Sequence, residues 1–245
     1  VPTQYPYTVE FTYEIETSDT GFFPPWYFLS GYGISVQQSE YSIVYPSIEF
    51  KPIVKEKNLE NVQVEKTDIA GSLQYSATNI PAMEAESLSP SFSLLAPSLS
   101  IRLPKFHYKG YQAVVNDWHE MGIWIQEELL AGRDVLEENT VKEIQQLVKG
   151  IDNDLEKAKI IYNYVQDNTR YISVQIGIGG IQPISAIEVD KVKYGDCKGL
   201  TNYTKALLKA VGVESFYAVV ESGSAKIDFE EDFADLVQGD HVILA

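Results

Sequence analysis

The stretch "YGDCKGLTNYTKALLKAVGVESFYAVV", Tyr194 to Val220, decides the fold. It holds Cys197, the only cysteine in 245 residues. Gly195-Asp196 is a turn signal, and Leu200, Thr204, Leu207 and Val211 then recur at helical spacing. Gly212 stands just past the last of them, where glycine commonly closes a helix. Val213 to Glu221 reads as a strand. The stretch therefore predicts a helix that opens at the cysteine and a strand that returns alongside it. At such an opening, unpaired N–H groups and the positive end of the helix dipole favour the thiolate, which is the nucleophilic form. The same N–H groups can hold an oxyanion. Gly199 lacks a side chain, which predicts close approach of another element or of a substrate. The competing expectation is a buried filler, because free cysteine packs as a small apolar group.

A cysteine nucleophile needs a base within hydrogen-bond reach. The chain has three histidines. His107 lies in a proline-bounded connection, and His119 sits in the first turn of a helix. His241 opens the apolar run "DHVILA", Asp240 to Ala245, which reads as a strand. A helix–strand–loop–strand path can return a strand start to the helix N-terminus, so His241 ranks first. Asp240 is a poor third member, since strand neighbours point to opposite faces. The glycines of "GIGG", Gly177 to Gly180, have no helix behind them and are followed by Pro183, which argues against a nucleotide loop. The acidic run Asp228 to Asp235 lacks the spacing of a calcium loop and reads as solvated. No cofactor and no metal are expected.

Outward from this centre the chain reads as α+β. Tyr7, Val9, Phe11, Tyr13 and Ile15 alternate with polar residues, which predicts a half-buried strand. Further strands are expected over 41–45, 48–54, 61–66 and 72–78, the pattern of an antiparallel β-sandwich in residues 1–104. The Pro- and Ser-rich segment Pro81 to Pro104 leads into a second domain, 105–245. There Asp117 with Glu120, Thr140 with Glu143 and Asn153 with Glu156 have the form of capping boxes. Apolar stripes follow each: Trp118, Met121, Ile125, Leu129; Val141, Ile144, Val148; Leu155, Ala158, Tyr162, Val165.

A net charge of -16 argues against a nucleic-acid binder, which would show a basic face. No apolar run approaches the roughly 20 residues of a spanning helix. The start at Val1 and the end within an apolar run read as a piece of a longer protein.

Tyr194 to Val220 resembles the nucleophile segment of bacterial transglutaminase-like proteins: Gly-Asp-Cys, an apolar helix, then a Gly-Val turn into a strand. The lead-in Ser185 to Cys197, the helix over Glu156 to Asn168 and "DHVILA" are similar to the same family, so the resemblance spans roughly 105–245. The β-rich first part resembles a β-sandwich domain of unknown function found ahead of such domains in Bacteroidetes-type envelope proteins. The resemblance implies a papain-like Cys-His-Asp triad with Cys197 as nucleophile and His241 as base. The triad acid is expected beyond Ala245. Gln175 or Tyr171 is implied as a side chain completing the oxyanion hole. It also implies a peptide or protein amide substrate, cell-wall-like material among them, at the periplasm or cell surface, close to a membrane but not spanning it. The alternative is a non-catalytic envelope scaffold or binding module that keeps the fold.

Overall fold

The computed structural model describes residues 5–223 and 229–245. It is a mixed α+β structure with several small sheets. The strands of the first part are β1 (Trp26–Tyr27), β2 (Val36–Val44), β3 (Ile53–Lys57), β4 (Val64–Ile69), β5 (Ser72–Ile80) and β6 (Ser98–Arg102), with a helical turn α1 (Phe92–Leu95) before β6. They form two three-stranded antiparallel sheets, ordered β1-β6-β3 and β2-β5-β4. Alternation works as expected in β5: Leu73, Tyr75 and Ala77 face inward, and together with Leu99 and Ile101 of β6 they join one apolar cluster.

Two expectations fail in this half. Tyr7 to Ile15 forms no strand and pairs with none of the described strands, and its apolar side chains lie open, with Val9 74% and Phe11 81% exposed. Period-two alternation says which face a strand would bury; it does not supply the neighbour that buries it. The expected strand over 48–54 breaks at Pro52: a 3-10 turn covers Ile48–Phe50 and β3 begins only at Ile53. Pro52 has no N–H to give to a ladder.

Beyond residue 104 a hairpin, β7 (Lys105–Tyr108) with β8 (Tyr111–Val114), leads into α2 (Trp118–Trp124), which continues as a π-helical stretch over Ile125–Leu130. Then follow α3 (Glu138–Leu147), α4 (Asp154–Asn168), β9 (Arg170–Tyr171), α5 (Ala186–Val192), β10 (Tyr194–Gly195), α6 (Cys197–Ala210), β11 (Tyr217–Val220) and β12 (His241–Leu244). β9 and β10 pair in parallel, and β11 and β12 pair antiparallel. Among the described residues no helix is long and apolar enough to cross a membrane.

Two of the three N-caps form, without the reciprocal glutamate bond of a full capping box. Asp117 accepts from Glu120 N–H at 2.8 Å, and Asn153 accepts from Glu156 N–H at 3.0 Å. Thr140 does not cap: α3 begins two residues earlier, and the Thr140 hydroxyl donates to Asp190 instead, at 2.7 Å. The α4 stripe is also rotated from the expected one. Leu155 and Tyr162 are exposed, while Ile161 and Val165 are buried. These buried residues pack with Ile144, Ala186, Val189, Tyr203 and Leu207 in a core where α3, α4 and α5 surround α6.

Asp190 ties three of those helices together. It accepts from Tyr203 Oη at 2.6 Å, from Thr140 and from Lys193 Nζ at 2.8 Å. Burial opposes its ionised form, but the three donors outweigh it and hold the carboxyl below the usual aspartate value.

The acidic run Asp228 to Asp235 is expected from sequence to be solvated; Asp228 lies outside the described residues, and the segment 229–240 is packed against both the first sheets and α2. Phe233 and Ala234 are buried, and the Arg102 guanidinium lies 5.5 Å from the centre of the Phe233 ring. Lys55 and Lys57 of β3 both pair with Glu230, and Lys55 also with Asp232. Trp118 donates its indole N–H to the Glu230 carbonyl at 2.8 Å.

Replacing Tyr203 by Phe is expected to lower unfolding free energy by about 2 kcal/mol, as a charge-assisted bond is lost from a fully buried ring; urea denaturation measures it. Because the Asp190 pKa is depressed on folding, its contribution is present at neutral pH and fades as pH falls below about 4. Asp190→Asn should therefore lose less stability than wild type between pH 5 and 3, in steps of roughly one unit. The lysine pairs at Glu230 are partly exposed, so Lys55→Met/Lys57→Met should cost no more than about 1 kcal/mol. It should nonetheless speed amide exchange within 229–238, as should 1 M salt on the wild type.

Candidate active site

Cys197 is the first residue of α6, as the turn signal required. Asp196 caps the helix: its backbone has β geometry and its Oδ1 accepts from Gly199 N–H at 2.9 Å. The Asp196 carbonyl takes Leu200 N–H at 2.9 Å. Asp196 therefore occupies the third and fourth N–H groups of the helix and leaves those of Cys197 and Lys198. The cysteine is half-buried and belongs to no disulfide. Gly199 does not serve the cleft. A Cβ there would meet Asp196, Ile184 and Val189 at 3.5 Å, so the glycine faces the α5 side of the core.

The thiol opens on a cleft of about 1120 Å³. Cys197, His241 and Gln175 all line it. One wall is apolar and comes from α2 and its continuation, with Trp118, Met121, Ile125 and Leu129. Another comes from the packed segment before β12, with Phe229 edge-on to Trp118 at 5.2 Å between ring centres.

His241 arrives by the path read from sequence. It opens β12 opposite Val220 of β11, and β12 lies along α6, where Thr201 Oγ1 donates to the Val242 carbonyl at 3.4 Å. Thr201 is one turn beyond Cys197, so the start of β12 and the start of α6 sit at the same end of the cleft. Gly239 makes this approach possible. Its φ is 95°, and a Cβ there would come within 2.7 Å of Val219 and 2.8 Å of Phe229.

The other two histidines are elsewhere. His107 is in β7, where its backbone and ring hold residues 18–21. His119 is exposed on α2 and does not line the cleft. Asp240 turns to Ser222, accepting from its N–H at 2.8 Å and its hydroxyl at 3.1 Å; these bonds hold the carboxyl below its usual range. It fastens the loop.

Gln175 is exposed at the cleft edge, its amide donating at 3.4 Å to Ser173. Tyr171 stands in β9 opposite Gly195, with its phenol beside Cys197. Desolvation first, and then the neighbouring sulfur, raise the phenol pKa, so it remains a donor.

Two cleft residues were missed from the sequence. Tyr217 lines the cleft from β11, and burial first, with Cys197 and Asp196 behind it, raises its pKa. Lys198 is only 5% exposed and pairs with Asp196, itself 1% exposed. Nothing in the residues around Lys198 signals that it is buried. Its burial depends on where residues 172–176 pass, which no local pattern reports. Among the described residues, no group of three or more His, Cys, Asp or Glu stands where it could hold a metal ion.

Residues 142–226 match the family model of the transglutaminase-like superfamily, a span that includes Cys197 and ends before His241. Curated proteins give no match. Among solved structures, the chain shares the fold of one described as "a putative protease" from Parabacteroides distasonis ATCC 8503, with a TM-score of 0.63 and 16% identity, over 91% of this chain and 41% of that one. The chain thus spans about two fifths of that protein's length. A second, "a putative cysteine protease" from Cytophaga hutchinsonii, aligns with a TM-score of 0.29 and 11% identity, over 76% of this chain and 63% of that one. Within its α+β fold the chain therefore carries a transglutaminase-like domain at residues 142–226.

Proposed function

We propose that the protein is a cysteine-dependent acyl-transfer enzyme that hydrolyses peptide or side-chain amides through a thioester. The observation that carries this reading is the cleft shared by Cys197, at the start of α6, and His241, at the start of β12. The Cys197 thiolate attacks the amide carbonyl, forming a C–S bond. The C–N bond breaks as His241 gives its proton to the leaving amine. Water then attacks the thioester, passing a proton to His241, and the acid leaves as the thiolate is restored. Backbone N–H groups at the start of α6, with Gln175 or Tyr171, hold the oxyanion. A transamidase would differ only in using an amine in place of water.

The cleft is larger than the usual small-ligand pocket, which supports a peptide-like substrate, cell-wall-like material among the choices. We place the protein at the periplasm or cell surface and read its first two sheets as a β-sandwich module of an envelope protein.

The test is cleavage of fluorescein-labelled casein by the full-length protein, with dansylcadaverine as a competing amine. Wild type should release labelled peptides. Cys197→Ala should reduce release to background, and His241→Ala by on the order of 1000-fold or more. Cleavage by Cys197→Ala at the wild-type rate would sink the reading. Dansyl incorporation in place of cleavage would make the enzyme a cross-linker. A chain that neither cleaves nor labels would favour the scaffold alternative.

A further inference from the structure

We infer that Lys198 is a positioning residue for the oxyanion side of the cleft, fixing residues 173–175 against the start of α6. The inference rests on the acyl-transfer reading for its catalytic meaning, but not for its structural content.

Burying an ammonium beside a nucleophile is expensive unless every proton has a use. Lys198 lies almost wholly out of water, and Nζ has two partners: Asp196 Oδ2 and, at 3.4 Å, the Val174 carbonyl. Asp196 is itself anchored through Oδ1 to Gly199 N–H. The chain of contacts thus runs from the α6 cap through the ammonium to the backbone at Val174. A second link lies just upstream, where Ile172 N–H donates to the Gly195 carbonyl at 2.9 Å. The two links bracket Ser173.

A peptide group is planar, so holding the Val174 carbonyl also fixes the direction of the Gln175 N–H and Cα. Gln175 lines the cleft with Cys197 but is exposed, and its side chain has only the long bond to Ser173 to hold it. On the cleft side, the Lys198 contact is what sets where this donor leaves the backbone. An apolar residue at 198 would fill the same space and leave the Val174 carbonyl without its donor.

Lys198→Met alone strands the Asp196 carboxylate. The test therefore pairs it with Asp196→Ser/Lys198→Met, which keeps a capping oxygen for Gly199 and removes both charges. Amide exchange followed by mass spectrometry reads residues 172–176 directly. Both variants should exchange at Ile172, whose N–H is bound to the Gly195 carbonyl, at least about tenfold faster than wild type, with α3 and α4 unchanged. If the double variant exchanges like wild type, the effect of the single change belongs to the stranded carboxylate and the inference fails. It fails equally if neither variant differs from wild type.

On labelled casein the double variant should lose on the order of 100-fold in kcat with KM held. Adding Gln175→Ala to it should cost little more, as for residues acting as a unit. Full additivity would overturn the link to Gln175. Absence of cleavage by wild type would strike the acyl-transfer reading and leave the exchange result standing.

Discussion

One carboxylate fixes the start of α6. That helix is buried around most of its circumference, by α3, α4 and α5 on one side and β12 on the other. Such a helix cannot end in water, so its first N–H groups need partners from the protein. Asp196 supplies Gly199 N–H through Oδ1 and Leu200 N–H through its backbone carbonyl, and binds Lys198 through Oδ2. Because the cap sets which residue is first in the helix, it also sets that the residue at the mouth of the cleft is Cys197. A frame shift of one residue would rotate the thiol by about 100° around the helix axis, away from its present place in the cleft.

The rest of the second half reads as support for this placement. Asp190 gathers Tyr203, Thr140 and Lys193 and so couples α6 to α3 and to the end of α5. On the far side, the segment 229–240 is held by Lys55, Lys57 and Arg102, all from the first two sheets or their edge. That segment runs directly into His241. Cys197 and His241 are thus located by different parts of the molecule, one by a helix bundle and the other by a connection pinned to the N-terminal strands.

What was legible in the sequence was what is local. The turn at Gly195-Asp196, the helix behind Cys197, the closing Gly212 and two of the three N-caps depend on residues within four positions of each other, and they formed. The path from α6 to His241 was legible too, because a short return strand leaves few routes. What escaped depends on distant partners. Tyr7 to Ile15 alternates well but meets no strand. Thr140 has the right neighbour for a cap, yet Asp190, fifty residues away, takes its hydroxyl. Asp235 sits in an acidic run that looked solvated, and burial instead raises its pKa while Val237 and Gln238 N–H groups hold it. Lys198, buried at the cleft, has its partner carbonyl at Val174, 24 residues upstream.

The open face of residues 7–15 carries a cost of a different kind. A segment that belongs to no strand, and whose Val9, Phe11, Tyr13 and Ile15 side chains all lie exposed, is a surface on which another strand can form. The surplus of acidic residues opposes such pairing at low ionic strength, through repulsion between whole molecules. Salt removes that repulsion while leaving the apolar row intact. The colloidal behaviour of this protein is therefore governed at its opposite end from its chemistry, and a concentrated, salted solution is where its molecules will first stick to each other.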